Sequence, residues 1–347
     1  MIEEPSVYHH GLPSAGSGRT TLEWNESDEL LRVEGLRTHF FTNERVVKAV
    51  DGVSFSVKRG EIFGLVGESG SGKSMTLRSI MRLVHPPGKI LDGRILYEGR
   101  DILALSESGV ANLRGSEIAM IFQEPMTALD PVMRVGDQLV ETLREHETNG
   151  ARERAVELLK LVGLPSPERR MREYPHEYSG GMRQRAMIAI GLASDPALLL
   201  ADEPTTAIDV TLQDQILRLV VDLQERLGMS VIWVTHDFGV IAMICERVGV
   251  MYAGLLLEVG PVGELLTDPR HPYTLALLES IPRFEGDQDV LVPIPGAPPD
   301  AGNRPSGCPF HPRCRFAQKR CEDAEVPLRR LSPEHSSACI RVDEIWS

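Results

Sequence analysis

Residues 61–74 read EIFGLVGESGSGKS. The opening EIFGLV is short, apolar and bounded by glycine, as a buried strand is. Gly67-Glu-Ser-Gly-Ser-Gly72-Lys73-Ser74 then fits G-x-x-x-x-G-K-[ST] without exception. Helical spacing follows over 73–84, and Pro86, Pro87 and Gly88 end it. A flexible glycine–serine loop would need neither flank, whereas strand, loop and helix in this order are the context of a phosphate cradle. Its glycines let backbone N–H groups converge on phosphate oxygens. The helix N-terminus adds the positive end of its dipole. The expected ATP-binding residues are Gly67, Glu68, Ser69, Gly70, Ser71, Gly72, Lys73, Ser74 and Met75. Lys73 is assigned to the β- and γ-phosphates, and Ser74 to Mg²⁺.

Working outward, residues 30–57 alternate apolar and polar and read as antiparallel strands. Further buried strands are expected at 118–122 (IAMIF), 197–201 (ALLLA) and 231–235 (VIWVT), with a terminal hairpin at 248–259. Helical patterns occupy 130–178, 184–193 and 213–227. The stretch 151–162 is amphipathic, with Ala155, Val156, Leu158, Leu159 and Val162 on one face. The alternation predicts an α/β P-loop NTPase fold with a parallel core, an antiparallel β subdomain and a helical insertion at 130–180. No internal repeat is visible, so one nucleotide-binding domain is expected over 30–260. Residues 1–29 read as a mobile tail, and frequent prolines set off a Cys-rich appendage at 261–347.

The chain has 347 residues and a formal charge of -13. That acidity argues against a surface that wraps nucleic acid. No apolar run reaches the roughly 18–20 residues of a membrane span. The polar start lacks the apolar centre of a secretory signal. A cytoplasmic chain is expected, with any membrane role coming through a partner.

Two further segments carry chemistry. Leu198-Leu-Leu-Ala-Asp202-Glu203 places two carboxylates at the C-terminal end of a strand, where open α/β sheets bind ligands. Asp202 suits Mg²⁺ and Glu203 suits a general base for the attacking water. Ser179-Gly180-Gly181-Met182-Arg183 opens a helix and is an anion site by the same dipole physics. An N-cap serine with a tight turn would look the same.

In their order, these pieces resemble the nucleotide-binding subunit of an ATP-binding-cassette (ABC) transporter. The matching pieces are the P-loop at 67–74, Phe122-Gln123-Glu124-Pro125 as Q-loop, and Tyr178-Ser-Gly-Gly-Met-Arg183 as signature. Ala201-Asp-Glu-Pro204 matches Walker B, Ala207-Ile-Asp209 the D-loop and Thr235-His236-Asp237 the H-loop. The resemblance implies that Gln123 contacts Mg²⁺ and the attacking water, and that His236 contacts the γ-phosphate. It implies that Ser179, Gly180, Gly181 and Met182 grip ATP held by an opposite subunit, with Asp209 in the D-loop between them. An aromatic residue near the first strands would stack on adenine; Phe41 is the candidate, with Phe40 close behind, and core packing is the competing reading. Tyr178 and Met182 depart from the commonest signature and Ile208 from the usual D-loop leucine, while the residues assigned direct chemistry are intact.

His271-Pro-Tyr-Thr274, Pro295-Gly-Ala-Pro-Pro299 and Cys308-Pro-Phe-His-Pro-Arg-Cys314 resemble the C-terminal region of oligopeptide and dipeptide importer ATPases. That branch implies a different ABC ATPase as partner, two transmembrane permease subunits and an extracytoplasmic substrate-binding protein. It also serves nickel and some oligosaccharides. A soluble cassette ATPase is the alternative class, but such relatives usually carry a coiled-coil insertion or two cassettes. Of five cysteines, Cys308, Cys314, Cys321 and Cys339 lie in the last forty residues. Their spacing is wider than the close pairs of structural zinc, and Cys₄ ligation suits an iron–sulfur cluster. The resemblance supports [4Fe–4S]; zinc, with His311 or His335, and free thiols remain alternatives. The lone Cys245 reads as core packing.

Overall fold

The computed structural model describes residues 28–123, 128–146, 149–206, 208–281 and 293–346. The 1–27 portion of the expected tail, residues 124–127 after Gln123, and Ala207 lie outside them.

An eight-stranded sheet carries the fold, in the order β11-β12-β10-β9-β3-β8-β7-β6. The strands are β3 (Ile62–Val66), β6 (Ile118–Ile121), β7 (Leu198–Asp202), β8 (Ser230–Thr235), β9 (Arg247–Tyr252), β10 (Leu255–Pro261), β11 (Arg329–Arg330) and β12 (Ser336–Ser337). β3 pairs in parallel with β8 and β9, and β7 with β6 and β8. β3, β7, β8 and β9 are buried at every position, as parallel strands covered on both faces must be. Their apolar runs therefore do not alternate.

The antiparallel sheet has the order β2-β1-β4-β5, from β1 (Glu29–Phe41), β2 (Val46–Lys58), β4 (Gly88–Tyr97) and β5 (Arg100–Asp101). β1 and β2 cover the expected antiparallel region and extend one residue beyond it at each end. β4 was not anticipated, because GKILDGRILY mixes charge and glycine with its apolar residues. A kink breaks its pattern: Gly93 has φ +105, and a Cβ there would lie 2.7 Å from Leu36 Cα. A register shift in the β1–β4 ladder falls between Glu34 and Arg37.

The helix after the P-loop spans Lys73–Ile80, shorter than the expected 73–84. Arg82 takes φ +51. Arg114 satisfies the freed carbonyls, donating from Nε to Met81 O (2.8 Å) and from Nη2 to Arg82 O (2.9 Å). The insertion holds the helices Val135–Glu145, Ala151–Leu161 and Pro167–Arg170. Leu139, Leu143, Ala155, Leu158 and Leu159 share one core with Leu199 and Trp233 of the sheet.

The sequence boundary at 260/261 falls inside the β10 hairpin strand. Beyond it, β12 pairs with β10 (Glu258↔Ser337, Val259↔Ser336), so late residues extend the central sheet. Tyr273, Phe310 and Ala338 share a core with Val66, Phe238, Val250 and Tyr252. Tyr252 lies 4.5 Å from Tyr273 and 5.5 Å from Phe310 between ring centroids. Among the described residues, no helix is long and apolar enough to cross a membrane.

Candidate active site

Gly67–Gly72 turns between β3 and the helix Lys73–Ile80 so tightly that side chains are excluded at two points. A Cβ on Gly67 would lie 2.1 Å from Met251 O, and one on Gly72 (φ +106) 2.3 Å from Ala49 O. Gly254 N donates to Ser71 O (2.9 Å), tying the loop to the β9–β10 turn. Lys73 is 4 % exposed. Its Nζ donates to Gly67 O (2.7 Å) and Glu68 O (3.1 Å) and stands 3.8 Å from Glu203 Oε1. Burial lowers the Lys73 pKa, although Glu203, Asp202 and Glu68 pull the other way.

Ser74 Oγ donates to Asp202 Oδ1 (2.7 Å). Burial raises the Asp202 carboxyl, against the lowering effect of that hydrogen bond. Both are oxygen donors of the hard kind Mg²⁺ takes.

β7 ends at Asp202, and Glu203 adopts φ +45. An L-residue held in the left-handed region is strained, and such strain gathers at functional sites. Glu203 N donates to Val234 O (3.1 Å), and the Glu203 carboxylate becomes the meeting point of the site. Its Oε2 accepts from Thr206 Oγ1 (2.9 Å) and Gln123 Nε2 (3.4 Å) and lies 3.3 Å from His236 Nδ1. Gln123 follows β6, Glu203 follows β7, His236 follows β8 and the P-loop follows β3. Four neighbouring strands deliver one group each at their C-terminal ends.

Lys73, Ser74, Gln123, Asp202, Glu203 and His236 are thus brought together at these strand ends. Phe41, at the end of β1, is 43 % exposed, with Lys89 Nζ 5.9 Å from its ring centroid. Its neighbour Phe40 is half-buried beside Gly88, where a Cβ would lie 2.7 Å from the Phe40 ring. The signature segment stays apart. Ser179 caps the helix Gly180–Gly191 through Met182 N (3.4 Å), and both Ser179 and Gly180 are exposed. Among the described residues, no hydrogen bond or ion pair joins 179–182 to 67–74. Asp209 caps the helix Val210–Leu227 through Leu212 N (2.9 Å), beside Val210 at 82 % exposure.

Three partners of the site escaped sequence reading. Thr206 has only its place three residues after Glu203 to announce it. Arg313 grips Glu68 through Nη1 (2.6 Å) and Nη2 (3.0 Å), and Glu68 N donates to the Tyr273 hydroxyl (3.0 Å). Both lie inside the His-Pro-Tyr-Thr and Cys-to-Cys segments already singled out, but nothing local names their target.

Cys308, Cys314, Cys321 and Cys339 line one cavity together with His271 and Phe310. Cys308 N donates to Cys321 O (2.9 Å). Burial pushes the Cys308 thiol up to about 12 and the Cys339 thiol to about 11, and neighbouring thiols add to both shifts. His271 is fully buried; its Nδ1 accepts from Tyr273 N (3.0 Å), which leaves the proton on Nε2. Among the described residues, that Nε2 finds no hydrogen-bond partner. His311 also lines the cavity, with Nδ1 2.8 Å from Cys308 O. His335 does not: it sits between Glu258 (2.8 Å) and Glu264 (3.1 Å), which corrects its candidacy as a ligand beside the cysteines. Among the described residues, no group of three or more His, Cys, Asp or Glu is arranged to hold a metal ion. Cys245 packs below Gly64, and burial pushes its thiol up.

Comparison with known proteins gives the same two parts. Residues 50–206 match the ABC transporter family, and residues 257–321 match the oligopeptide/dipeptide transporter C-terminal region. The chain is 51 % identical over 311 residues to the oligopeptide transport ATP-binding protein OppD of Bacillus subtilis (strain 168), spanning 88 % of this chain and 87 % of that protein. It is 46 % identical over 312 residues to the dipeptide transport ATP-binding protein DppD of Lactococcus lactis subsp. cremoris (strain MG1363), with 89 % of each covered. A dimeric post-hydrolysis ATP-binding cassette, MJ0796, bound to ADP and Pi, superposes with a TM-score of 0.60 at 29 % identity, covering 67 % of this chain and 98 % of that one.

Proposed function

The chain belongs to the ABC transporter ATP-binding subunits, and from that premise we propose that it hydrolyses ATP to power peptide import through a membrane permease. One observation carries the hydrolytic half: Lys73, Gln123, His236 and Thr206 all address the carboxylate of Glu203. Likeness to peptide-transport relatives along most of the chain supports the cargo class.

In this reading, Glu203 accepts the proton of the water that attacks the γ-phosphate. Gln123 and His236 orient that water and the phosphate, and the 67–74 amides with Lys73 hold the phosphate chain. Ser74 and Asp202 would hold Mg²⁺, with Gln123, which reaches Glu203, as a further ligand; bound Mg²⁺ would supply neutralisation of phosphate charge. Phe41 offers its exposed ring to adenine. The Ser179–Met182 segment, exposed at Ser179 and Gly180, and Asp209 face a second cassette, so each site is completed by a partner. That partner is a different ABC chain. Two permease subunits and an extracytoplasmic binding protein complete the complex at the cytoplasmic face of the membrane.

The four cysteines fit a [4Fe–4S] cluster. They share one cavity, although among the described residues no group of three or more His, Cys, Asp or Glu is arranged to hold a metal ion. Cys308, Cys314, Cys321 and Cys339 would hold such a cluster through the Cys₄ ligation these groups take. The orphaned Nε2–H of His271 is the donor a cluster sulfur would accept from. Bound, the group would supply a redox-active cross-link among four short segments.

The transport test is genetic and biochemical. In cells lacking this chain, the wild type should restore uptake of a labelled oligopeptide, and Glu203→Gln should not. Restored uptake by Glu203→Gln would sink the hydrolytic assignment. Uptake of nickel or an oligosaccharide in place of peptides would move the cargo.

A further inference from the structure

Glu68 is an odd residue to find inside an anion-binding loop. A carboxylate there adds negative charge where phosphates must sit, and its field already reaches Lys73. Every polar handle of Glu68 is occupied. Its carbonyl accepts from Lys73 Nζ, its amide donates to the Tyr273 hydroxyl, and its carboxylate takes both Arg313 nitrogens.

Arg313 in turn is fixed from several sides. Its side chain is 6 % exposed. Nε donates to Pro295 O (2.8 Å) and Nη1 to the Tyr252 hydroxyl (3.2 Å). A paired guanidinium and carboxylate at this depth form a bidentate, charge-assisted contact of the strong kind. Arg313 directly precedes Cys314, in the short turn His311–Arg313, and Tyr273 lies two residues after His271. Both cavity-lining segments therefore send one side chain to the same P-loop residue.

We propose that Arg313 is a positioning residue of the nucleotide site: it masks the Glu68 carboxylate so that the loop accepts phosphates, and it ties nucleotide affinity to the integrity of the cysteine cavity. The proposal rests on the reading of residues 67–74 as the nucleotide loop, and its second half on a group held by the cysteines. Removing the guanidinium leaves Glu68 charged and free beside the phosphates. Disturbing the cavity moves the segment that carries the guanidinium and has the same effect.

The test is equilibrium binding of MgADP to the full chain, which avoids turnover. Arg313→Gln should weaken binding about five- to tenfold, the low end of ordinary coupling between sites. The loss should shrink as salt rises from low to physiological strength, because it is a charge effect. Adding Glu68→Gln should restore affinity to near the wild-type value. A brace without a charge role would not be rescued in this way, so an unrescued double variant overturns the masking. Unchanged affinity in a folded Arg313→Gln protein overturns the proposal outright. Where Arg313→Gln does not fold, Arg313→Lys, which keeps charge but loses the fork, should bind with an intermediate affinity. A loss in that variant as large as the five- to tenfold expected for Arg313→Gln would show that positive charge at this place does not protect the site, and overturns the masking as well.

The second arm uses Cys314→Ser, with iron measured in both proteins. Weakened MgADP binding, again rescued by Glu68→Gln, supports the tie between the sites. Full affinity in Cys314→Ser overturns that tie. Wild type purified without iron disposes of the cluster reading alone, since the Arg313 arm needs no metal.

Discussion

The nucleotide site and the cysteine cavity solve opposite problems of order. At the first, the ends of four parallel strands hold the polar groups, and every position of β3, β7 and β8 is buried. The sheet sets the geometry before any ligand arrives. At the second, the cysteines sit on turns and a single helical turn, Arg320–Asp323, joined by proline-rich chain. Such elements cannot position themselves, because short pieces with few ladder bonds have little to offset their ordering entropy. Burial and neighbouring thiols also raise the pKa of Cys308, Cys314 and Cys339, which disfavours their charged forms. A preorganised site loses chemistry when a side chain is changed; a site assembled on turns loses shape when its ligand is removed.

The sharpest break falls on the preorganised side. Glu203→Gln should lower ATP turnover about 10²- to 10⁴-fold, the range of general-base catalysis. Nucleotide binding should persist, because Lys73 and the loop amides are untouched. Single-turnover assays alongside nucleotide affinity separate the two, and near-normal turnover would remove Glu203 from its role. Lys73→Ala should do the reverse and abolish affinity.

On the other side, Cys314→Ser should abolish cluster binding. An anaerobic wild-type preparation should be brown, absorb near 400 nm and contain iron; the variant should be colourless. Limited proteolysis should then cut the variant first beyond residue 293, leaving the sheet intact. Zinc without iron in the wild type would refute the cluster. Cleavage spread evenly over the chain would break the contrast between the two regions.

How much of this was legible follows from how far each contact reaches along the chain. β3, the glycine loop and the next helix are contiguous, and their steric demands are written in eight residues. Asp202 and Glu203 were legible because a strand end is a local feature. The meeting of Gln123, Glu203 and His236 is not local; it was legible only through the order of recognisable motifs. Arg313 and Glu68 are 245 residues apart, and no pattern marks either for the other. β4 was missed because its kink at Gly93 and its polar residues hide its alternation. The C-terminal boundary was drawn where composition changes, while pairing of β12 with β10 follows backbone hydrogen bonds that composition does not report.

A smaller effect probes how rigid the preorganised loop is. Gly72→Ala would place a methyl 2.3 Å from Ala49 O at φ +106. Backbone must shift on β2, so the protein should lose about 1–3 kcal/mol. Denaturant midpoints would measure it, and an unchanged midpoint would show that the loop yields more easily than the sheet that carries it.

The mildest expected effect concerns the seam between the two regions, where His335 of the segment before β12 reaches Glu258 of β10. Burial lowers the affinity of His335 for a proton, but the hydrogen bond and charge of fully buried Glu258, aided by Glu264, outweigh it and raise its pKa above 6.5. A group whose pKa is raised on folding contributes stability that is complete below its unfolded value and is lost as pH climbs through the folded one. The wild type should therefore melt above His335→Gln at pH 6, and the gap should narrow as pH rises beyond the raised value. Melting curves of both proteins across that span decide it. A gap that widens towards alkaline pH would mean that the imidazole is held neutral, and that β12 is fastened by its backbone pairing alone.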